Sequence, residues 1–324
     1  MKAVVCKAFG PPESLVVEEV EDPRPGPGQV LIEVKAAGVT FPDALVIEDK
    51  YQMKAQPPFI PGGEAAGVVR EVGEGVTTPA PGDRVVASLG LVGAFAELVC
   101  VPAEAARPIP ENLGFAESTG LVYSYGTGYY GLVDRAGIQK GETLLVLGAG
   151  GNLGLAAVEL GKALGARVIA AASGAEKLDL CKQHGADETI DYEKEDLKER
   201  AKALTEGRGV DVVYDAVGGD YAEAALRAIA WKGRFLVIGF TAGIPKMPLN
   251  LALLKGCQII GVFLGAMLGR EPETRDAVVR AVDELIADGR IEPHVSRVYS
   301  LEEGPQALRD LLDRRVVGKV VVAP

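Results

Sequence analysis

The sequence predicts an α/β protein in which a barrel-like β unit is interrupted by a doubly wound parallel-sheet unit. Short apolar runs separated by Pro-Gly turns fill the first third, from Met1 to about Val122. The texture then changes to alternating buried strands and amphipathic helices, up to Phe263. After Leu264 the chain carries one amphipathic helix and two short strands, too few to form a core of their own. Those last strands are expected to rejoin the first unit, giving domains 1–122, 123–263 and 264–324.

In the first stretch, Ala3–Val5, Leu15–Val20, Val30–Val34, Gly67–Val69, Arg84–Val86 and Ala96–Val101 read as strands. Pro25-Gly26-Pro27-Gly28, Pro61-Gly62-Gly63 and Pro81-Gly82-Asp83 punctuate them, the pattern of a barrel or sandwich. In the middle stretch the strands are Thr143–Leu147, Arg167–Ala171, Thr189–Ile190, Val210–Tyr214, Arg234–Ile238 and Gln258–Phe263. Between the first two, Leu153, Ala157, Leu160 and Leu164 recur at helical spacing, and Gly165 stands where a C-cap glycine would. The last stretch carries a helix over Thr274–Asp288 and strands at Arg297–Tyr299 and Lys319–Val322.

The 324 residues include 34 Lys+Arg against 45 Asp+Glu, a formal charge of −11. An acidic surface repels phosphate backbones and anionic lipid, so neither nucleic acid nor a membrane is expected as a partner. The apolar run after Met1 is too short for a secretory leader, and the stretch from Pro248 to Met267 is broken by Lys255 and glycines, so no span is expected. Cys6, Cys100, Cys181 and Cys257 are far apart, which suits a reducing, cytoplasmic setting in which they act as small core residues. His184 and His294 are the only histidines, and both read as surface or capping residues. No clustered donor set is visible, so no metal is expected.

The most informative segment runs from Thr143 to Gly154: a buried strand, the turn Gly148-Ala149-Gly150-Gly151, and a helix start at Asn152-Leu153. Glycines let backbone N–H groups approach a pyrophosphate, and the helix N-terminus adds partial positive charge. The glycine spacing is 148, 151, 154, one residue longer than the common dinucleotide fingerprint, but the strand before and helix after supply the required context. An NAD site usually carries Asp or Glu about 20 residues further on, to hold the ribose 2′-OH. Here the second strand ends in Ala171-Ala172-Ser173-Gly174, small and neutral. Ser173 can donate to a 2′-phosphate, Lys177 can balance its charge, and Tyr192, after the third strand, can reach it. The reading is NADPH, with Glu176 as counter-evidence and a solvated helix lysine as the alternative for Lys177.

Further segments carry a resemblance. Ala36-Ala37-Gly38-Val39-Thr40-Phe41-Pro42-Asp43, Pro61-Gly62-Gly63-Glu64-Ala65-Ala66-Gly67, Gly82-Asp83-Arg84-Val85, the turn at Gly148, Asp211-Val212-Val213-Tyr214-Asp215-Ala216-Val217-Gly218 and the ending Gly318-Lys319-Val320-Val321 lie along the whole chain. Together they resemble the zinc-free medium-chain dehydrogenase/reductases, specifically the NADPH:quinone oxidoreductase (zeta-crystallin-like) group. The resemblance implies a GroES-like barrel with an inserted Rossmann domain. Zinc-dependent members carry Cys-His where this chain has Thr40-Phe41, His at Gly63 and Cys near Tyr123-Ser124. The resemblance further implies 2′-phosphate contacts at Ser173, Lys177 and Tyr192, with Arg314 a weaker one. It places Phe240 and Thr241 beside the nicotinamide and Phe263 and Leu264 at its carboxamide. Thr127 is read as a helix cap or a lesser cofactor contact.

Two departures matter. Thr40 stands where quinone reductases commonly have Asn, and Asn152 replaces a glycine of the turn. Tyr51 matches a proton-donating tyrosine of the related mitochondrial enoyl reductases, though Asp49 replaces the usual glycine two residues before it. Tyr51 is either an acid or part of the cleft lining. Thr40 and Asp43 either position substrate or order the cleft, with capping of a turn as the alternative for Asp43. Glu64 and Asp215 read as structural hydrogen-bonders. Three functions stand open: transfer of hydride from NADPH to a quinone, reduction of α,β-unsaturated carbonyls or enoyl thioesters, and NADPH binding with little turnover. The acceptor is a small molecule in the first two. The apolar strand Gln258–Phe263, expected at the sheet edge, invites pairing with a second copy, so a homodimer is expected.

Overall fold

The computed structural model describes all 324 residues. They form two compact units, Met1–Val122 with Pro293–Pro324, and Tyr123–Glu292. The first expected boundary thus coincides with a unit edge, but the second does not. Residues 264–292 pack with the middle of the chain, where the helix Pro272–Ala287 buries Val278, Val282, Leu285 and Ile286. An amphipathic helix buries its stripe on the nearest apolar partner, and the sequence pattern does not say which unit offers it. No helix is long and apolar enough to cross a membrane.

The first unit contains β1 (Lys2–Val5), β2 (Val16–Glu19), β3 (Gln29–Gly38), β4 (Glu64–Val72), β5 (Arg84–Ser88), β6 (Leu98–Pro102) and β7 (Ala106–Pro108). The second supplies β8 (Thr143–Leu147), β9 (Arg167–Ala172), β10 (Glu188–Asp191), β11 (Val210–Asp215), β12 (Ile229–Val237) and β13 (Gln258–Gly261). The chain then returns to the first unit for β14 (Val295–Ser300) and β15 (Lys319–Ala323).

In the first unit the main sheet has the order β14-β15-β3-β4-β5-β7, with β6 also paired to β3, while β1 and β2 form a separate hairpin. All pairs are antiparallel except β14 with β15. The inner residues of these strands, among them Ile32, Val85, Val101 and Val322, build one core with Phe95 from the segment before β6. The register sets Val322 opposite Ala37 and Ala37 opposite Ala65, so β15, β3 and β4 lie side by side. β7 escapes a reading by pattern, because it has three residues and ends in Pro108.

The second unit is a six-stranded parallel sheet in the order β10-β9-β8-β11-β12-β13. Counted within the unit this is 3-2-1-4-5-6, the doubly wound order whose direction reverses between β8 and β11. Strands covered on both faces read as continuous apolar runs, and β8 is buried at all five positions. Its Leu145 and Leu147 join Ile169, Val213, Leu226 and Phe235 in the core of this unit. β13 is the open edge and is largely exposed. Cys6 and Cys181 are buried, Cys100 and Cys257 half-buried, and all four thiols are free. His184 closes the helix Ala175–Gln183, and its Nδ1 lies 2.6 Å from Glu159 Oε1, whose other oxygen accepts from Tyr125 OH.

Candidate dinucleotide and proton-transfer sites

The switch point of the parallel sheet is the C-terminal end of β8. There the chain leaves Leu147 through Gly148 at φ 68°, left-handed backbone that favours glycine. It enters the helix Asn152–Ala163 through Gly151 as N-cap. Gly151 N–H donates to Gly148 O at 3.0 Å, which closes the turn and leaves the Asn152, Leu153 and Gly154 N–H groups to open the helix. No side chain caps this end. A Cβ on Gly154 would lie 2.1 Å from Gly148 O and 2.6 Å from Ala149 Cα, both backbone, so only glycine lets the helix sit this close to the turn. A Cβ on Gly150 would meet the Lys177 Cβ at 2.4 Å, so this glycine is the floor over which the Lys177 stem passes. The Asn152 side chain is held away from the turn, its Oδ1 accepting from Ser124 Oγ at 2.8 Å.

Beside this turn, β9 and β10 end in register, Asp191 opposite Ala172. Ser173 and Tyr192 therefore emerge next to each other, and Tyr192 N–H donates to Ala172 O. Gly174, at φ 81°, starts the helix that carries Lys177 one turn on. Both Lys177 and Tyr192 are half-buried, whereas Glu176 is exposed. The Tyr192 ring packs on Tyr221, centroids 4.4 Å apart. A half-buried helix N-terminus that no side chain caps, a β9 that ends in small neutral residues and one lysine fit a dinucleotide whose ribose bears a 2′-phosphate.

At the ends of β11 and β12, Asp215 accepts from the N–H groups of Val217 and Gly218 at 2.9 and 2.8 Å. Burial raises the Asp215 pKa, and its role is to fix this loop. Phe240 and Thr241 follow β12 and are exposed, with Thr241 Oγ1 donating to Ala216 O. Phe263 is half exposed just past β13, and Leu264 is buried at the start of the next helix. Thr127 is buried in the short helix Gly126–Tyr129. All these lie in the parallel-sheet unit. Arg314 lies in the other unit, exposed at φ 59° in the turn after the helix Gly304–Leu312. A cavity of about 660 Å³ lined by Asp196, Lys198, Asp220, Arg227 and Lys246 contains none of the predicted residues.

The barrel-type unit holds a second cluster. Thr40 is N-cap of the helix Phe41–Ile47, and Asp43 in its first turn accepts from both Thr40 N–H and Thr40 Oγ1 at 2.7 Å. Burial pushes the Asp43 carboxyl up to about 7, against the lowering by Thr40 and by the Lys319 cation. Tyr51 is half-buried, and its pKa is raised by burial and by the nearby Asp43, so the phenol stays protonated. Asp49 sits at φ 55°, where a glycine is unstrained, which accounts for the residue type expected there. Glu64 accepts from Gly120 and Val122 N–H at 2.7 and 3.3 Å. Lys319 was legible only as part of the terminal Gly-Lys-Val-Val; a lysine opening an apolar strand reads as a solvated edge charge, yet here it is buried. Tyr221, which packs on Tyr192, was also missed, as was the closeness of Gly150 to Lys177, because both contacts arise only in three dimensions. No group of three His, Cys, Asp or Glu side chains is arranged to hold a metal ion.

A barrel-type β unit joined to a doubly wound sheet with a glycine turn at its switch point defines the class of dinucleotide-dependent dehydrogenases and reductases. The alcohol dehydrogenase GroES-like domain family matches residues 26–111, and the zinc-binding dehydrogenase family matches residues 152–284. The chain is 40% identical over 325 residues to quinone oxidoreductase-like protein 2 homolog of Nematostella vectensis, covering 99% of this chain and 88% of that one. It is 33% identical over 325 residues to quinone oxidoreductase of Pseudomonas aeruginosa, covering 100% and 99%. The structure of Escherichia coli quinone oxidoreductase complexed with NADPH aligns over 100% of both chains, at TM-score 0.92 and 29% identity. The chain belongs to the medium-chain dehydrogenase/reductases, in their quinone oxidoreductase group, and is an oxidoreductase of GroES-like plus Rossmann fold.

Because Gly154 meets backbone atoms, Gly154→Ala is expected to cost about 1–3 kcal/mol of stability. It is also expected to weaken dinucleotide affinity about tenfold or more, a loss of at least about 1.4 kcal/mol. Denaturant unfolding and calorimetric titration check the two.

Proposed function

We propose that the protein is a zinc-independent, NADPH-dependent reductase whose acceptor is a quinone. The observation that carries the cofactor assignment is the neutral end of β9 beside Lys177 and Tyr192, next to the open helix N-terminus at Asn152. A carboxylate at this strand end would repel a 2′-phosphate, whereas Ser173 and Lys177 attract one. Gly148, Gly151, Asn152 and Leu153 would hold the pyrophosphate. Phe240, Thr241, Phe263 and Leu264 would exclude water around the nicotinamide, with Thr127 and Arg314 as lesser contacts. Bound NADPH supplies the hydride. The chain supplies orientation and a proton, for which Thr40, Asp43 and Tyr51 are the assigned groups.

The zinc-free reading rests on residue chemistry. Thr40, Phe41 and Gly63 carry no ligand atom suited to zinc at the positions where zinc-dependent relatives have Cys and His. Tyr51 favours the second reading, reduction of an α,β-unsaturated carbonyl, because a protonated phenol beside Asp43 suits protonation of an enolate. The four free cysteines suit a reducing, cytoplasmic setting.

NADPH oxidation with quinones, enones and enoyl thioesters tests the reading. Turnover with quinones is expected, with a preference for NADPH over NADH that falls about tenfold or more in Lys177→Ala. Tight NADPH binding without oxidation by any acceptor would contradict it. Turnover of enones alone, abolished in Tyr51→Phe, would establish the second reading instead.

We also propose a homodimer through the open edge at β13. Trp231 on β12 and Leu249, Leu253 and Leu254 on the helix Leu249–Lys255 that leads into β13 are each at least 68% exposed, an apolar exposure that a lone copy would present to water. Sedimentation is expected to give a dimer and Leu253→Asp with Leu254→Asp a monomer; a wild-type monomer at micromolar concentration contradicts it.

A further inference from the structure

Lys319 is an unusual residue to find in a core. It opens β15, is 5% exposed, and its Nζ has no hydrogen-bond partner. Two glycines make its room. A Cβ on Gly38 would lie 2.9 Å from Lys319 Nζ and 3.3 Å from Glu64 Oε2, and one on Gly120 would lie 3.2 Å from the same Nζ. The ammonium therefore shares a buried chamber with the Glu64 carboxylate, which is fully buried, and acts on Asp43, which is 2% exposed. Isolated charges are expelled from such surroundings, so a cation and two carboxylates held together without direct contact constitute a mutually tuned set.

The Thr40–Asp43 pair gives this set something to tune. When Asp43 is ionised, Thr40 Oγ1 donates its proton to Asp43 Oδ2 at 2.7 Å and has none for another acceptor. When Asp43 is protonated, the same contact reverses: Asp43 donates to Thr40 Oγ1, and the Thr40 proton is released for a neighbouring oxygen. We propose that Asp43 and Thr40 form a two-proton relay to the substrate oxygen, and that Lys319 and Glu64 are positioning residues that set the pH range in which the relay runs. This rests on the reductase reading. The substrate carbonyl gains two electrons as hydride from NADPH, which is oxidised to NADP⁺. The substrate oxygen takes the Thr40 proton, and the Thr40 oxygen takes the Asp43 proton. Water then returns a proton to the Asp43 carboxylate.

The surroundings of Asp43 identify which charges matter. Lys319 on β15 lowers its pKa and Glu64 on β4 raises it, while burial holds it near 7. Tyr51, beyond the end of the same helix, is neutral and feels the Asp43 charge. The helix Gly304–Leu312 packs on the Asp43 helix, but its charged groups are engaged elsewhere: Arg309 with Glu13 and Asp313, Asp310 with Tyr299, Gln306, Arg297 and Arg315. Arg107 on β7 acts on Glu64.

The relay works with Asp43 protonated, so the rate falls as pH rises through the Asp43 pKa. Removing the cation in Lys319→Met raises that pKa, and the falling limb moves to higher pH, by about one unit or more. Removing an anion in Glu64→Gln lowers it, and the limb moves the other way. Two neutralisations with opposite shifts are a signature that loss of packing does not produce.

The test is the pH profile of kcat/KM with NADPH and a quinone, together with infrared titration of the Asp43 carboxylic-acid band in the protein without cofactor, the band being identified by its loss in Asp43→Asn. Opposite shifts of limb and band in the two variants are the expected result. A folded Lys319→Met with limb and band unmoved overturns the proposal; if that variant does not fold, an unmoved Glu64→Gln does so. A band that shifts while the rate does not follow also overturns it, because the relay then does not carry the proton. Absence of turnover with any acceptor defeats the reductase reading, and with it the relay, whereas the band shifts still decide whether Lys319 and Glu64 tune Asp43.

Discussion

The constraint on which the functional architecture depends is the close approach of a helix N-terminus to the end of β8. Backbone meets backbone there: the position of a Gly154 Cβ is already taken by Gly148 O. That approach leaves the first N–H groups of the helix without partners at the switch point of the sheet, where a doubly wound fold places its ligand. The buried strand β8 fixes one side of the turn and the Leu155–Leu160 face of the helix fixes the other. Everything proposed about a phosphate-bearing cofactor follows from this fixed, positively polarised end.

Selectivity is layered on that base by neighbours rather than by the turn itself. The parallel register of β9 and β10 brings Ser173 and Tyr192 together, and the absent Cβ of Gly150 lets the Lys177 stem cross the turn. β9 itself ends in alanine and is followed by serine, so this strand carries no carboxylate of its own at its end. The barrel-type unit contributes a different kind of chemistry. It takes charges out of water and holds them close, so that Asp43, Glu64 and Lys319 influence one another through a medium that screens little.

Much of this was legible in the sequence, for physical reasons. The five residues of β8 are all apolar or β-branched and end in glycine, so strand, turn and helix could be placed to the residue. The strands of the barrel were visible through their Pro-Gly punctuation, although β4 and β3 run several residues further than the apolar cores suggested. The helix Pro272–Ala287 was found, but not the unit it joins, since amphipathicity specifies a face and not its partner. Lys319 was hidden for a related reason. Only the register of β15 against β3 and of β3 against β4 brings it to Glu64, and that register is a property of the folded sheet. Thr40 and Asp43 were both singled out, but their mutual hydrogen bonds, at the N-cap and first turn of a short helix, appear only in the folded chain.

The most direct measurement of the central claim is amide hydrogen exchange with and without NADPH. Slowed exchange is expected at residues 149–155, at 173–177 and around Tyr192, where the turn, the helix start and the neutral strand end would contact pyrophosphate and 2′-phosphate. Binding of NADPH with unchanged exchange at those amides, and protection elsewhere, would contradict the account.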